Sequence, residues 1–402
     1  MERSNCLKAA EGLAPHLTDL RRRLHACPEI GFDLPKTTAI IQEELDRLGI
    51  SFRCSGKGSI VAELGEGEDL VLLRGDMDGL PVTEEAHLPF RSTNGAMHAC
   101  GHDLHATMLL GAACLLKERE AQLPRRVRLL FQPAEELLEG AADAVRSGVT
   151  DGVSAAYMLH VTVGSGLSAG TVVIPPSGVT APSADFFEIC VKGKGCHGAD
   201  PASGIDPLST AAQILLALQH LPAREFPSGS RAALTVGSLM AGDCYNVIPD
   251  TARLRGTVRC YDENLREYLK ERIGTVSSSV AAAFRAKSHL SFPSACPSLV
   301  NDPNVRDRAK NMLPQRLGSS RVLVVDAPSG TAGSEDFAVI SRTVPSLMLA
   351  VAAGDSPFPL HHPQVVFDES VLPVGDSVLA ELAKQKKNYG FNSSSTNSAV
   401  FC

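Results

Sequence analysis

This sequence predicts an α/β protein: a mixed, mostly parallel sheet flanked by helices, with a small α+β unit set into the chain. Three observations carry that expectation. Apolar runs of strand length recur and end in acids or histidines, helical-period stretches lie between them, and the pattern changes between about residues 183 and 292. At 402 residues the chain also exceeds the usual size of one domain, so two are expected.

In chain order, the first informative strand is DLVLLRGD (69–76), which ends at Asp76. The segment NGAMHACGHDLHATMLLGAA (94–113) follows. Its Cys100 and His102 stand two apart, a spacing that cannot share a helix face, so they belong to a loop or strand end. A thiol and an imidazole so placed suit a divalent metal such as zinc, and Gly101 between them lets the backbone approach closely. A helix is expected from Leu104, with Asp103 capping its first turn and Met108, Leu109, Ala112, Leu115 and Leu116 at helical spacing.

RVRLLFQPAEE (126–136) reads as a buried strand ending in Glu135 and Glu136, AAYMLHV (155–161) as another closing on His160, and SLMLAVAAG (346–354) as a third, followed by His361 and His362. In open, mostly parallel sheets, ligands bind beyond the carboxyl ends of the strands. Four strand ends therefore aim metal-binding chemistry at one edge, and the paired glutamates can divide the roles of ligand and base. His87, His220 and His289 lack such partners and read as ordinary residues.

Between these segments, 184–193, 231–242 and 251–260 read as strands and 207–221 and 263–284 as helices. IPPSGVTAPS (174–183) is a natural hinge and SFPSACPSLVNDP (291–303) the return. The expected division is one discontinuous domain of 1–182 and 293–385, an insert of 183–292, and a Ser/Asn-rich tail of 386–402 expected to be disordered.

LRRRLHACPEIGF, RGDMDGLP, MHACGHDLHA, FQPAEE, LHV, GKGCHGADP, NVIPD, GTVR, GSEDFA and LHHP follow one another over roughly residues 15 to 385. In that order they resemble the aminoacylase/carboxypeptidase family of metallo-amidohydrolases, peptidase family M20. Within it the chain is similar to the hippurate hydrolases and indole-3-acetyl-amino-acid hydrolases, which use a cysteine ligand. The resemblance implies a zinc-exopeptidase-like catalytic domain with an inserted lid that closes over it. It implies two divalent ions held by Cys100, His102, Glu136, His160 and His361, with zinc favoured by the thiolate and manganese or cobalt as other options. Glu135 would be the base, Asp76 a supporting acid, and His197 the group that stabilises the oxyanion. Asn246 and Arg259 would grip the substrate's α-carboxylate. Many relatives outside this branch carry a histidine ligand where this chain has Arg74. Glu335 resembles a supporting acid, and an N-cap role for Ser334 explains part of its motif; His98 and His105 fall outside the implied ligand set.

The implied activity is metal-dependent hydrolysis of N-acyl or aryl-acyl amino acids to a carboxylic acid and a free amino acid. Other readings are a small dipeptidase or carboxypeptidase of the same family, a cysteine-nucleophile hydrolase built on Cys100, and a non-catalytic metal-binding relative. A net charge of −7 argues against nucleic acid, and no apolar run suits a membrane span. Eleven cysteines without the spacing of a disulfide framework suit a reducing compartment, with cytoplasm expected. The resemblance also permits a homodimer through the lid.

Overall fold

The computed structural model describes residues 5–327 and 333–385. Helices α1 (Asn5–His25) and α2 (Pro35–Arg47) lead into β1 (Phe52–Ser55), β2 (Ser59–Leu64) and β3 (Leu70–Asp76). Then come α3 (His102–Lys117), β4 (Arg126–Gln132), α4 (Gly140–Arg146), β5 (Val153–Thr162), β6 (Val172–Ile174) and β7 (Gly178–Ala181). The insert holds β8 (Ala184–Lys192), β9 (Cys196–His197), α5 (Pro207–Leu218), α6 (His220–Arg224), β10 (Ala232–Ala241), β11 (Val247–Ile248), β12 (Thr251–Cys260), α7 (Glu263–Ala283) and β13 (Lys287–Cys296). The return adds β14 (Leu299–Asn301), α8 (Pro303–Leu317), β15 (Val322–Val324), α9 (Phe337–Ser341), β16 (Ser346–Ala352) and α10 (Leu372–Ala383).

The larger sheet runs β1-β2-β4-β3-β5-β16-β6-β15. Its centre is parallel: β3 pairs with β4 and β5, and β5 with β16. Every residue of β3 is buried, as an interior strand with both faces covered requires. The expected α/β architecture is present, and the ends of β3, β4 and β5 deliver their polar residues on one side.

Helix α3 is buried from His102 to Leu116, so it is a core helix rather than a surface one. It meets α10 closely at Gly111, where a Cβ would stand 2.3 Å from the Asp376 Cγ. Neither carboxylate oxygen of Asp376 has a hydrogen-bond partner, and burial pushes this acid well above its ordinary range. A carboxyl raised in the folded state contributes most below its unfolded value, near 3.9, and weakens the fold as pH climbs from there toward the folded value. Asp376→Asn is therefore expected to gain stability over wild type as pH rises from 4 to 8, ending roughly 1–3 kcal/mol ahead in urea titrations. Equal stability of the two proteins at every pH would remove Asp376 as a source of strain.

The smaller sheet, β10-β12-β8-β13, is antiparallel throughout. Phe187, Ile189, Val191 and Leu254 from its strands pack with Ile214 of α5 and Leu269 and Ile273 of α7, giving it a core of its own. The helix expected over 207–221 is two pieces, α5 stopping at Leu218 and α6 opening at His220. Strand β13 begins before the segment expected as the return and runs into it, and the boundary expected at 292 falls inside it. Pro293 hides this strand in the sequence; it sits at a bulge between Ser291 and Ser294 on the sheet's edge, where a missing N–H costs least. The two connections between the sheets are themselves paired, β7 against β14. The expected tail of 386–402 lies outside the described residues.

Candidate metal centre

Beyond the ends of β3, β4 and β5 the backbone takes three unusual turns. Gly101 has φ 88°, and a Cβ there would come within 2.4 Å of the Val161 Cγ2, so only glycine fits between Cys100 and His102. Ala134 has φ 57°, left-handed for an alanine, which turns the amides of Glu135 and Glu136 onto the Asp78 carboxylate at 3.1 and 3.2 Å. His361 has φ 70°, and its amide donates to the Ala99 carbonyl at 2.9 Å, tying the last histidine to the cysteine loop.

These turns bring the expected ligands together. Cys100, His102 and His160 form one group of donors whose ligating atoms lie within 4.8 Å of one another, and Cys100, Glu136 and His361 form a second. His102, Glu135 and Glu136 form a third. The Cys100 Sγ lies 3.6 Å from the His160 Nε2, and the Glu136 Oε1 lies 3.6 Å from the His361 Nε2 and 3.9 Å from the His102 Nε2. His102 Nε2 and Glu136 Oε1 are both buried without a hydrogen-bond partner. Two orphaned donors facing each other beyond hydrogen-bond reach, with a thiol and two more imidazoles beside them, fit a divalent cation. Of the pair 361–362, His361 is the available one, since the His362 ring stacks on Phe358 at 4.3 Å.

The neighbours orient these groups. Asp78 Oδ1 lies 3.3 Å from the His102 Nδ1, which leaves Nε2 for a metal. The His160 Nδ1 donates to the Val161 carbonyl at 2.6 Å, with the same effect. His105 is spent differently: its Nδ1 donates to Asp76 at 2.6 Å and its Nε2 accepts the Val161 amide at 2.9 Å, so neither nitrogen is open to a metal. Asp76, expected as a ligand support, touches His105 and Arg74, and lies 3.8 Å from the His102 Nε2. The direct hold on His102 belongs to Asp78, to which the sequence assigns no role.

Charge in the cluster is unbalanced toward acid. Burial, followed by Glu335, Asp336 and Glu136, pushes Glu135 well above the usual range. Burial raises Glu136 to about 7 against the pull of His102. Burial also works against Asp76, but Arg74, His102 and His105 together hold it well below its ordinary value. Burial, helped by His102, lowers His160 to about 4, keeping it the neutral imidazole a metal needs.

A cavity of about 680 Å³ opens over this cluster, lined by Cys100, Glu135, Glu136, His160, His361 and Glu335 and, from the smaller sheet, Phe186 and Arg259. The Arg259 Nη1 donates to the Ser334 Oγ at 2.5 Å. His197 and Asn246 do not line the cavity. They sit together on the exposed β9/β11 ribbon, where the Gly198 amide donates to the Asn246 carbonyl at 2.7 Å.

Two local expectations fail. Helix α3 starts at His102 with Gly101 as its cap, and the Asp103 carboxylate makes no cap; it pairs with Arg21 and His25, each at 2.8 Å. Ser334 caps nothing either, since Asp336 precedes α9 and Ser334 instead receives Arg259.

Three comparisons agree with this geometry. The chain is 37% identical to an N-acetyl-L-cysteine deacetylase from Bacillus subtilis, covering 93% of this chain and 88% of the relative. It is 35% identical to an IAA-amino acid hydrolase from Arabidopsis thaliana, covering 91% and 84%. Among solved structures, a dinuclear metal-binding peptidase of the M20 family from Bacillus subtilis matches with a TM-score of 0.76 and 34% identity, over 93% of this chain and 98% of that one. The model of peptidase family M20/M25/M40 matches residues 72–385, and with the donor cluster at the strand ends it establishes that the chain belongs to that family.

Proposed function

We propose that this chain hydrolyses the amide bond of N-acyl and aryl-acyl amino acids, releasing a carboxylic acid and a free amino acid. Its family makes it a metal-dependent amidohydrolase. The narrower substrate class draws on the names of its deacetylase and amino acid hydrolase relatives. The observation that carries it is one cavity holding both the donor cluster and the guanidinium of Arg259, which suits a fork onto a carboxylate.

Cys100, His102, Glu136, His160 and His361 would hold two divalent ions, with zinc favoured by the thiolate. Such ions, when bound, polarise an acyl carbonyl and bring the pKa of water toward neutrality. Glu135, beside the ligands yet free of Asp78 at its carboxylate, takes the proton of the attacking water and hands it to the leaving amine as the C–N bond breaks. Asp76 keeps His105 and Arg74 in place around the ligands. Arg259 binds the substrate's carboxylate. His197 and Asn246, exposed on their ribbon, act on the oxyanion and the carboxylate when the 183–292 unit closes about its hinge or pairs with a second copy.

Burial pushes the Cys100 thiol far up, which disfavours a free thiolate nucleophile. None of the cysteines among the described residues is in a disulfide, and a reducing, cytoplasmic setting would keep Cys100 available as a ligand. Among the described residues no helix is long and apolar enough to cross a membrane.

Amino acid release from a panel of N-acyl amino acids is expected to vanish on chelation and to return with zinc, manganese or cobalt. Activity that survives complete metal removal would sink the metal mechanism; a metal-loaded protein inert toward the whole panel would sink the substrate class.

A further inference from the structure

The strand register across β5, β16 and β6 sorts their side chains into two rows. Leu159 and Leu349 are opposite each other, as are Val161 and Val351, and Val172 continues the second pair; all five belong to the hydrophobic core. The alternate row is His160, Ala350 and Val173, each directly opposite the next, each partly exposed and each lining the cavity. Strand pairs are about 4.8 Å apart, so this row carries the cavity floor about 10 Å away from His160. Past Val173 the wall is Leu167, Pro175 and Val325, with no charged side chain there among the described residues.

The charged part of the cavity lies the other way along the sheet. Arg259 bonds to Ser334, whose neighbour Glu335 pairs with Arg74 of β3 at 3.0 Å, and β3 is on the opposite side of β5 from β16. A scissile amide at the donor cluster with its carboxylate toward Arg259 therefore points its acyl group along the row toward Val173. An acetyl group ends before Ala350 and leaves the apolar floor uncovered.

Resting on the reading of N-acyl amino acids as substrates, we propose that an apolar trough across Ala350 to Val173 is the acyl site, and that it selects extended alkyl or bicyclic aryl groups over acetyl. Ala350 is its threshold, because its single methyl group is what leaves the middle of the row open.

The test uses the metal-loaded protein and a series of alanine conjugates from acetyl through butanoyl and hexanoyl to octanoyl, with indole-3-acetyl beside them. In the wild type kcat/KM is expected to rise about three- to fourfold per methylene up to roughly eight carbons. Ala350→Leu is expected to cut the octanoyl-to-acetyl ratio of kcat/KM by about 30-fold or more, and Val173→Phe to lower octanoyl relative to butanoyl. A readout independent of turnover is calorimetric binding of octanoate against acetate, which Ala350→Leu is expected to level. A flat or falling series in the wild type overturns the trough while leaving the amidohydrolase reading intact, and so does an unchanged ratio in both variants. Hydrolysis of no member of the series overturns both.

Discussion

Glu135→Gln is expected to lower turnover by roughly 10²–10⁴-fold with metal content unchanged. The amide keeps the size of the side chain and an oxygen to receive the Asp336 amide, which lies 3.3 Å from the Glu135 Oε1. What it loses is the ability to take a proton. The same change removes one acid from a buried group in which Glu135, Glu335 and Asp336 lie within 4.8 Å of one another. The metal-free variant is therefore expected to melt no lower than the metal-free wild type, while the metal-loaded variant is nearly inert. Single-turnover kinetics with elemental analysis would check it, and near-normal turnover with both metals bound would take the base role away from Glu135.

Arg74→Met is expected to destabilise the fold by about 3–5 kcal/mol, because removing one partner strands the others in a buried site. The Arg74 side chain is fully buried, with its Nε donating to the Gln132 Oε1 at 3.1 Å. One terminal nitrogen holds Asp76 at 2.5 Å, and the other holds Asp336 at 2.8 Å and Glu335 at 3.0 Å. Four contacts of one planar fork cannot be copied by an ammonium, so Arg74→Lys is expected to recover little. Denaturant unfolding of the metal-free proteins isolates this effect from metal binding. A loss below about 1 kcal/mol would mean the three acids are neutral in the folded protein and need no counter-charge.

The sequence made the donor cluster legible because several of its members stand at or shortly after strand ends, and strand ends are marked locally. The apolar runs before Asp76, Glu135 and His160 each stop where the chemistry starts, and the parallel sheet gathers those stops at one edge. Contacts between distant segments left no such mark. Asp103 sits where a cap would sit, yet Arg21 and His25 arrive from α1 to claim it. Asp78 was left without a role because its partners, the His102 ring and the Glu135 and Glu136 amides, come from 24 to 58 positions along the chain. Strand β13 was masked by its own proline, and the break between α5 and α6 by continuous helical spacing. His197 and Asn246, expected in separate roles from separate motifs, are neighbours in space, but their exposed ribbon stands apart from the cavity.

Parallel pairing of β5 with β16 matches Ala156 with Ser346, residues about 190 positions apart. At the usual pace of synthesis, roughly 5–20 residues per second, a nascent chain holds β5 without that neighbour for about 10–40 s. Through that interval the Val153–Thr162 strand shows an open edge to every other chain on the polysome. His361 emerges later still, so a stalled or truncated product lacks one member of the candidate donor group of Cys100, Glu136 and His361. The burden of this topology thus falls on the newborn protein, whose β5 edge is covered only once its last strand is made.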